Sequence, residues 1–164
     1  MREFFGSIYG QIITVLGLIA IVALGANALS TNRAMSQATD IGVLVANARQ
    51  RLGATQNGYL NFTTANAAAL IRDGIVPSTM VRGGAMTNQW GGSVDLTNQN
   101  NGALGVITLN GVSSKDCSKL VTTLGNYDAV TVGGTTFSQD NPADATNAST
   151  ACNGQTSVSI TFSN

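Results

Sequence analysis

Histidine is absent from the 164 residues, cysteine and proline each occur twice, tryptophan occurs once, and only 10% of residues are charged. Each shortage excludes something. Without histidine, no Ser-His-Asp or Cys-His arrangement can be built. Two cysteines far apart give no zinc-ligand spacing. Eight acidic and eight basic residues cancel to a formal net charge of zero, so there is no electrostatic case for nucleic-acid binding. The acids Glu3, Asp40, Asp73, Asp95, Asp116, Asp128, Asp140 and Asp144 are scattered and form no catalytic constellation. Gly83-Gly84, Gly91-Gly92 and Gly133-Gly134 lack the P-loop and dinucleotide patterns and read as turns. No enzyme and no cofactor is expected.

What is present is a long uncharged beginning. No charged residue falls between Glu3 and Arg33, and residues 11–29 are almost wholly apolar. At about 1.5 Å per residue, some 20 such residues span the roughly 30 Å hydrocarbon layer of a bilayer. One segment cannot close a barrel, so helix is the form that satisfies its backbone there. The stretch reads as a single N-terminal transmembrane helix. A secretory signal peptide is the alternative. Against it, the run exceeds the roughly 7–15 residues of a signal core, and no small-residue site ends it cleanly, although Ala26-Asn27-Ala28 comes near. Glycines recur at Gly6, Gly10, Gly17 and Gly25, and the first two have the GxxxG spacing that lets helices approach closely.

The apolar run passes without proline or turn cluster into an amphipathic stretch. Ala34, Ala38, Ile41, Val45, Ala48 and Leu52 follow helical spacing, with Arg33, Asp40, Arg49 and Arg51 off that stripe. Gly53 is expected at the C′ stop. The two halves together predict one helix of about 50 residues, half for lipid or partner helices and half for a globular head.

Beyond residue 53 the chain is rich in Thr, Ser, Asn and Gly, which suits a surface outside the cytosol. A short helix is expected at 65–73, capped by Thr64 and stopped by Gly74. Ile75 and Val76 read as buried, and Pro77 opens one helical turn ended at Gly83-Gly84. Strands at 93–97 and 106–109 form a hairpin around a turn at 98–102. A helix at 115–124 is capped by Ser113, with Asp116 three residues on, and is ended by Gly125. Strands at 129–132 and 135–137 form a second hairpin. Residues 138–153 show neither helical nor strand period. Ser157–Phe162 alternates Val158, Ile160 and Phe162 inward. The fold class is α+β: the long helix, apolar then amphipathic, packed on an antiparallel head. Trp90, beside a glycine pair and ahead of a strand, is expected as a core anchor of the head. A ligand-stacking role is the other reading.

Cys117 falls on the apolar face of the 115–124 helix, and Cys152 in polar coil before the last strand. A disulfide between them is expected, because the head lies across a membrane in an oxidising space. It closes a loop worth about 3–4 kcal/mol in the chain-entropy model. The alternative is one buried and one exposed free thiol.

The long helix leading into a head with a late disulfide resembles the type IV pilins, and the large disulfide loop resembles their type IVb class. Gly74-Ile-Val-Pro-Ser-Thr-Met-Val81, Thr87-Asn-Gln-Trp-Gly-Gly-Ser-Val94, and Ile107-Thr-Leu-Asn-Gly-Val112 followed by Cys117-Ser-Lys-Leu-Val121 are similar to pilins of the thin pili of conjugative plasmids. The resemblance implies the pilin fold and a filament subunit, assembling with its own copies in a helical fibre. It implies a stage in the inner membrane, a prepilin peptidase and a motor ATPase as partners, then an extracellular pilus that brings donor and recipient surfaces together. It places Arg2, Glu3, Phe4, Phe5, Gly6, Gly10, Gln11, Ile12, Leu16, Gly17, Ile19, Val22 and Gly25 in the filament core.

Type IV pilins usually carry Glu at the fifth mature position, and here the sequence departs from the pattern. If Met1 is the mature start, the fifth residue is Phe5 and the nearest acid is Glu3. If Ser7 is the start, the equivalent position holds Gln11. Glu3, with Arg2, is expected to supply the electrostatic pairing near the fibre axis. Residues 1–32 are expected as the transmembrane and filament-core helix, and 33–164 as the head, including the amphipathic half at 33–53. The stretch 138–151 is expected at the filament surface. The chain stopping after a closing strand favours the major subunit over a minor, tip-located one. The competing reading is a monomeric, membrane-anchored extracytoplasmic binding or adhesion protein.

Overall fold

The computed structural model describes residues 32–164, so the predicted transmembrane segment lies outside the described residues. Among the described residues, no helix is long and apolar enough to cross a membrane. The first element, α1, is helical over 32–48 and ends in a π-turn, Arg49–Gly53. Of the predicted stripe, Ala34, Ile41, Val45 and Ala48 are buried, while Ala38 and Leu52 are half-buried.

The buried face is broader than the apolar pattern, because it also holds Gln37, Asp40 and Leu44. Asp40, expected off the stripe, is only 8% exposed. Its position is tolerated because Thr79 Oγ1 and Gln89 Nε2 donate to its two carboxylate oxygens at 2.6 and 2.8 Å. Those bonds replace the lost hydration. Gly53 also departs from expectation, since it does not take the left-handed conformation of a C′ stop. Its missing side chain leaves room for Asn164, which fills the space and donates to the Gly53 carbonyl. Arg49 reaches the same end of the chain: its Nε donates to the Ser163 carbonyl at 2.6 Å.

A 3-10 turn, Thr64–Asn66, leads into α2, Ala67–Arg72. Thr64, expected as the cap, instead accepts from Leu96 N at 2.7 Å and donates to Leu96 O at 3.2 Å, tying this segment to the sheet. Gly74 ends α2 at φ 70° as expected, and Ile75 and Val76 are buried. Pro77 caps the 3-10 turn Ser78–Met80. The short strands β1, Val81–Arg82, and β2, Ala85–Met86, pair around Gly83-Gly84.

Five further strands form the main sheet: β3 Val94–Gln99, β4 Leu104–Asn110, β5 Ala129–Val132, β6 Thr135–Ser138 and β7 Ser157–Phe162. Their order is β3-β4-β7-β5-β6, antiparallel throughout. The two predicted hairpins are the flanks, and the last strand inserts between them. Val158, Ile160 and Phe162 of β7 are buried as the alternation requires. Between the hairpins runs α3, Ser114–Thr123, whose cap Ser113 accepts from Asp116 N. It ends at an extended Leu124, with the left-handed turn at Asn126 rather than at Gly125.

The stretch 138–153, read as lacking period, contains a helix, α4, Ala145–Ala151. This helix is fixed at its ends rather than by an apolar stripe, since Ala148 is its one buried residue. Asp144 accepts from Thr146 N and Asn147 N, and Asn147 Oδ1 accepts from Asp144 N, a capping box built from Asp and Asn.

Ile41, Leu44 and Val45 of α1, Ile107, Leu109, Val158 and Ile160 of the sheet, and Leu120 and Val121 of α3 belong to one apolar cluster. At one end Tyr59, Phe62 and Phe162 meet edge to face, with centroids 5.0–6.3 Å apart. The Phe162 ring lies where a Cβ on Gly105 would be. Phe162→Ala is therefore expected to cost about 3–5 kcal/mol of unfolding free energy. Urea denaturation followed by circular dichroism checks it, and a loss below about 1 kcal/mol would contradict the packing.

Candidate functional site

The segment Thr87–Gly92 is short, polar and bounded by glycine, and its conformation is set by one side chain. Asn88 Oδ1 accepts from Trp90 N and from Gly92 N, both at 3.0 Å. This is the Asx geometry that lets Asn fold the backbone ahead of it. Asn88 Nδ2 donates to the Asn110 carbonyl at 2.6 Å, where β4 ends. Gly92 passes so close to that carbonyl that a Cβ there would collide with it. Asn88 is 1% exposed, so these bonds are shielded from water.

The folded loop reaches two helices. Gln89 N donates to Gln37 Oε1 at 2.8 Å, and Gln89 Nε2 donates to Asp40, both on α1. Trp90 is half-buried against the core, and its indole Nε1 donates to Asp116 Oδ2 on α3 at 2.9 Å. Ser113 Oγ donates to the same oxygen at 2.9 Å. Trp90 thus sits among protein groups. Asn88 and Gln37 were not singled out from the sequence, and Asp40 was read only as lying off the buried stripe. The Asn ahead of a glycine pair was a signal for the first; nothing local marks the other two, which depend on a distant loop.

Cys117 and Cys152 are joined in a disulfide with Cα atoms 5.8 Å apart. Cys152 is not in coil as expected; it is the C-cap of α4 and fully buried. The bond therefore pins α4 to the apolar face of α3. Burial raises the Tyr59 phenol above its ordinary pKa, and nearby Arg49 acts in the opposite direction. Tyr59 Oη donates to Asn164 Oδ1 at 2.9 Å.

The side of α1 turned from the core exposes Met35 and Val43, at 58% and 43%. The expected filament-core residues, Arg2 to Gly25, lie outside the described residues. Among the described residues, no group of three His, Cys, Asp or Glu side chains is close enough to hold a metal ion.

The PilS N-terminal family model matches residues 31–163. No curated protein sequence matches the chain. Among solved structures, a type IV b pilin from Salmonella typhi is similar with TM-score 0.58 and 18% identity, over 79% of this chain and 99% of that one. TcpA, a type IV pilin from the El Tor biotype of Vibrio cholerae, is similar with TM-score 0.50 and 15% identity, over 82% and 98%. At these identities the two structures establish the fold alone.

Trp90→Phe keeps a ring in the core but removes the indole donor to the Asp116 carboxylate. A hydrogen bond to a charged group is worth about 1.5–3 kcal/mol, and the variant is expected to lose stability in that range. Chemical denaturation of the variant beside the wild type measures it, and equal stability would contradict the link. With the family model spanning the head, the antiparallel sheet fastened to α1, and the disulfide in place, the chain belongs to the PilS family and is a type IV pilin.

Proposed function

We propose that this chain is the major structural subunit of an extracellular type IVb pilus, assembled through its N-terminal helix. The observation that carries the reading is the two-sided character of α1. One face is sunk in the head through Ile41, Leu44 and Val45, while Met35 and Val43 stand exposed on the other. Met35 and Val43 lie about two helical turns apart on that side, so one neighbouring helix laid along it can cover both. Upstream, the sequence supplies an uncharged run that water does not tolerate in a dispersed protein. Lateral packing of such helices in a fibre removes both from water, and Gly6, Gly10, Gly17 and Gly25 are the positions where backbones approach.

In this reading residues 1–32 are the membrane and filament-core unit, and 33–164 the displayed head. The subunit waits in the inner membrane, is processed by a prepilin peptidase, and is driven into the fibre by a motor ATPase. Its cellular role is contact between cells during conjugation, which rests on the likeness of the Trp90 block and its neighbours to plasmid thin-pilus pilins.

Electron microscopy of material sheared from cells making this chain and its assembly machinery tests the reading. Thin fibres of this subunit are expected, and protein confined to the membrane fraction of such cells would contradict it. Glu3→Ala is expected to reduce fibre yield strongly, because a buried amine or Arg2 left without its partner is costly. Normal fibre yield from that variant would remove Glu3 from the core.

A further inference from the structure

Between α3 and α4, which the disulfide joins, lies an open groove of about 610 Å³. Lys115, Ser118 and Lys119 line one wall, and Ser149, Thr150 and Asn153 the other. Lys115 and Lys119 are one helical turn apart and project to the same side. They are the only lysines in the chain. Ser118 and Asn153 each directly follow a half-cystine, so the Cα separation of 5.8 Å holds the walls in register. Every lining side chain carries a hydroxyl, an amide or an ammonium group, and no carboxylate lines the groove. Asp116, between the lysines in sequence, is buried and bonded to Trp90 and Ser113. Neither lysine is without a partner in the protein, so a ligand must add to or exchange with contacts already made.

We propose that this groove binds the carboxylates of an acidic cell-surface polysaccharide. The chemistry is ammonium and hydroxyl donors meeting anionic and hydroxyl oxygens. A single groove is weak, because an exposed lysine–carboxylate pair is worth about 0–1 kcal/mol. A polymer that repeats its acid meets a filament that repeats the groove, and linked sites gain about 10²–10⁴ in avidity without a new contact. The polymer arm of this inference rests on the filament reading, whereas the groove's chemistry does not.

The test has two arms. Full-length protein dispersed in detergent is titrated with oligogalacturonate and followed by nuclear magnetic resonance, which needs no fibres. Shifts confined to Lys115, Ser118, Lys119, Ser149 and Thr150 are expected. No shifts there, or the same shifts from inorganic phosphate at equal charge, would overturn the assignment. In the second arm, fibres verified by microscopy are passed over polygalacturonate and over neutral dextran. Retention on polygalacturonate is expected to fall about tenfold for Lys115→Glu/Lys119→Glu, and in the same direction for the Lys→Gln pair. Arg72→Glu/Arg82→Glu changes net charge equally at exposed sites away from the groove and is expected to retain normally. Equal loss in the lysine and arginine variants, or retention on dextran, would overturn the proposal. Failure to make fibres would count against the filament reading alone, leaving the first arm to judge the groove.

Discussion

The Asn88 side chain is the contact on which the arrangement of the head depends. Its oxygen and its nitrogen are both committed to backbone groups, at 1% exposure. Folding the loop places Gln89 against α1 and Trp90 against α3, while tying Gly92 to the end of β4. Apolar burial supplies most of the driving force, but it is non-directional and tolerates sliding of a helix on a sheet. The hydrogen bonds from Gln89 to Gln37 and Asp40 have one geometry and select one register. They are worth having only if the loop is rigid, and Asn88 makes it so.

A second fastening stands at the other end of α1. Arg49 and the π-turn close on Ser163 and Asn164, beyond the central strand. The helix is therefore held to the last strand at its end and to the Asn88 loop along its length. Its other side exposes Met35 and Val43 among Ser36, Thr39, Ala46 and Gln50, with Arg33 and Arg51 towards the ends. That asymmetry is what the proposed filament requires, since the subunit must hold its head firmly and still offer a helix face to its neighbours.

The parts of this fold that were legible in the sequence are those set by local chemistry. Both hairpins, the capped α3, the alternation in β7 and the Gly74 stop rest on neighbours within a few residues. The disulfide was legible because the chain's two cysteines fall in a head expected in an oxidising space. Most of the misses are long-range. Asp40 is charged, yet it is buried because Thr79 and Gln89 arrive from far along the chain. Gly53 marks a close approach by Asn164 rather than a turn. Thr64 serves Leu96 instead of capping. Residues of α4 carry almost no apolar signal, because Asp144, Asn147 and the disulfide do the work that a stripe does elsewhere. The central place of β7 could not be read from its order in the chain.

α1 is divided between the head and its neighbours in the proposed fibre, and methionine oxidation tests that division with probes already in the chain. Met35 is 58% exposed, whereas Met80 and Met86 are 0% and 6%. Oxidation of a thioether follows its accessibility. Dilute peroxide, followed by peptide mass spectrometry, should oxidise Met35 quickly in detergent-dispersed subunits and slowly in assembled fibres, with Met80 and Met86 slow in both. Equal oxidation of Met35 in the two states would mean that this face of α1 stays in water after assembly, contradicting its burial against neighbouring subunits.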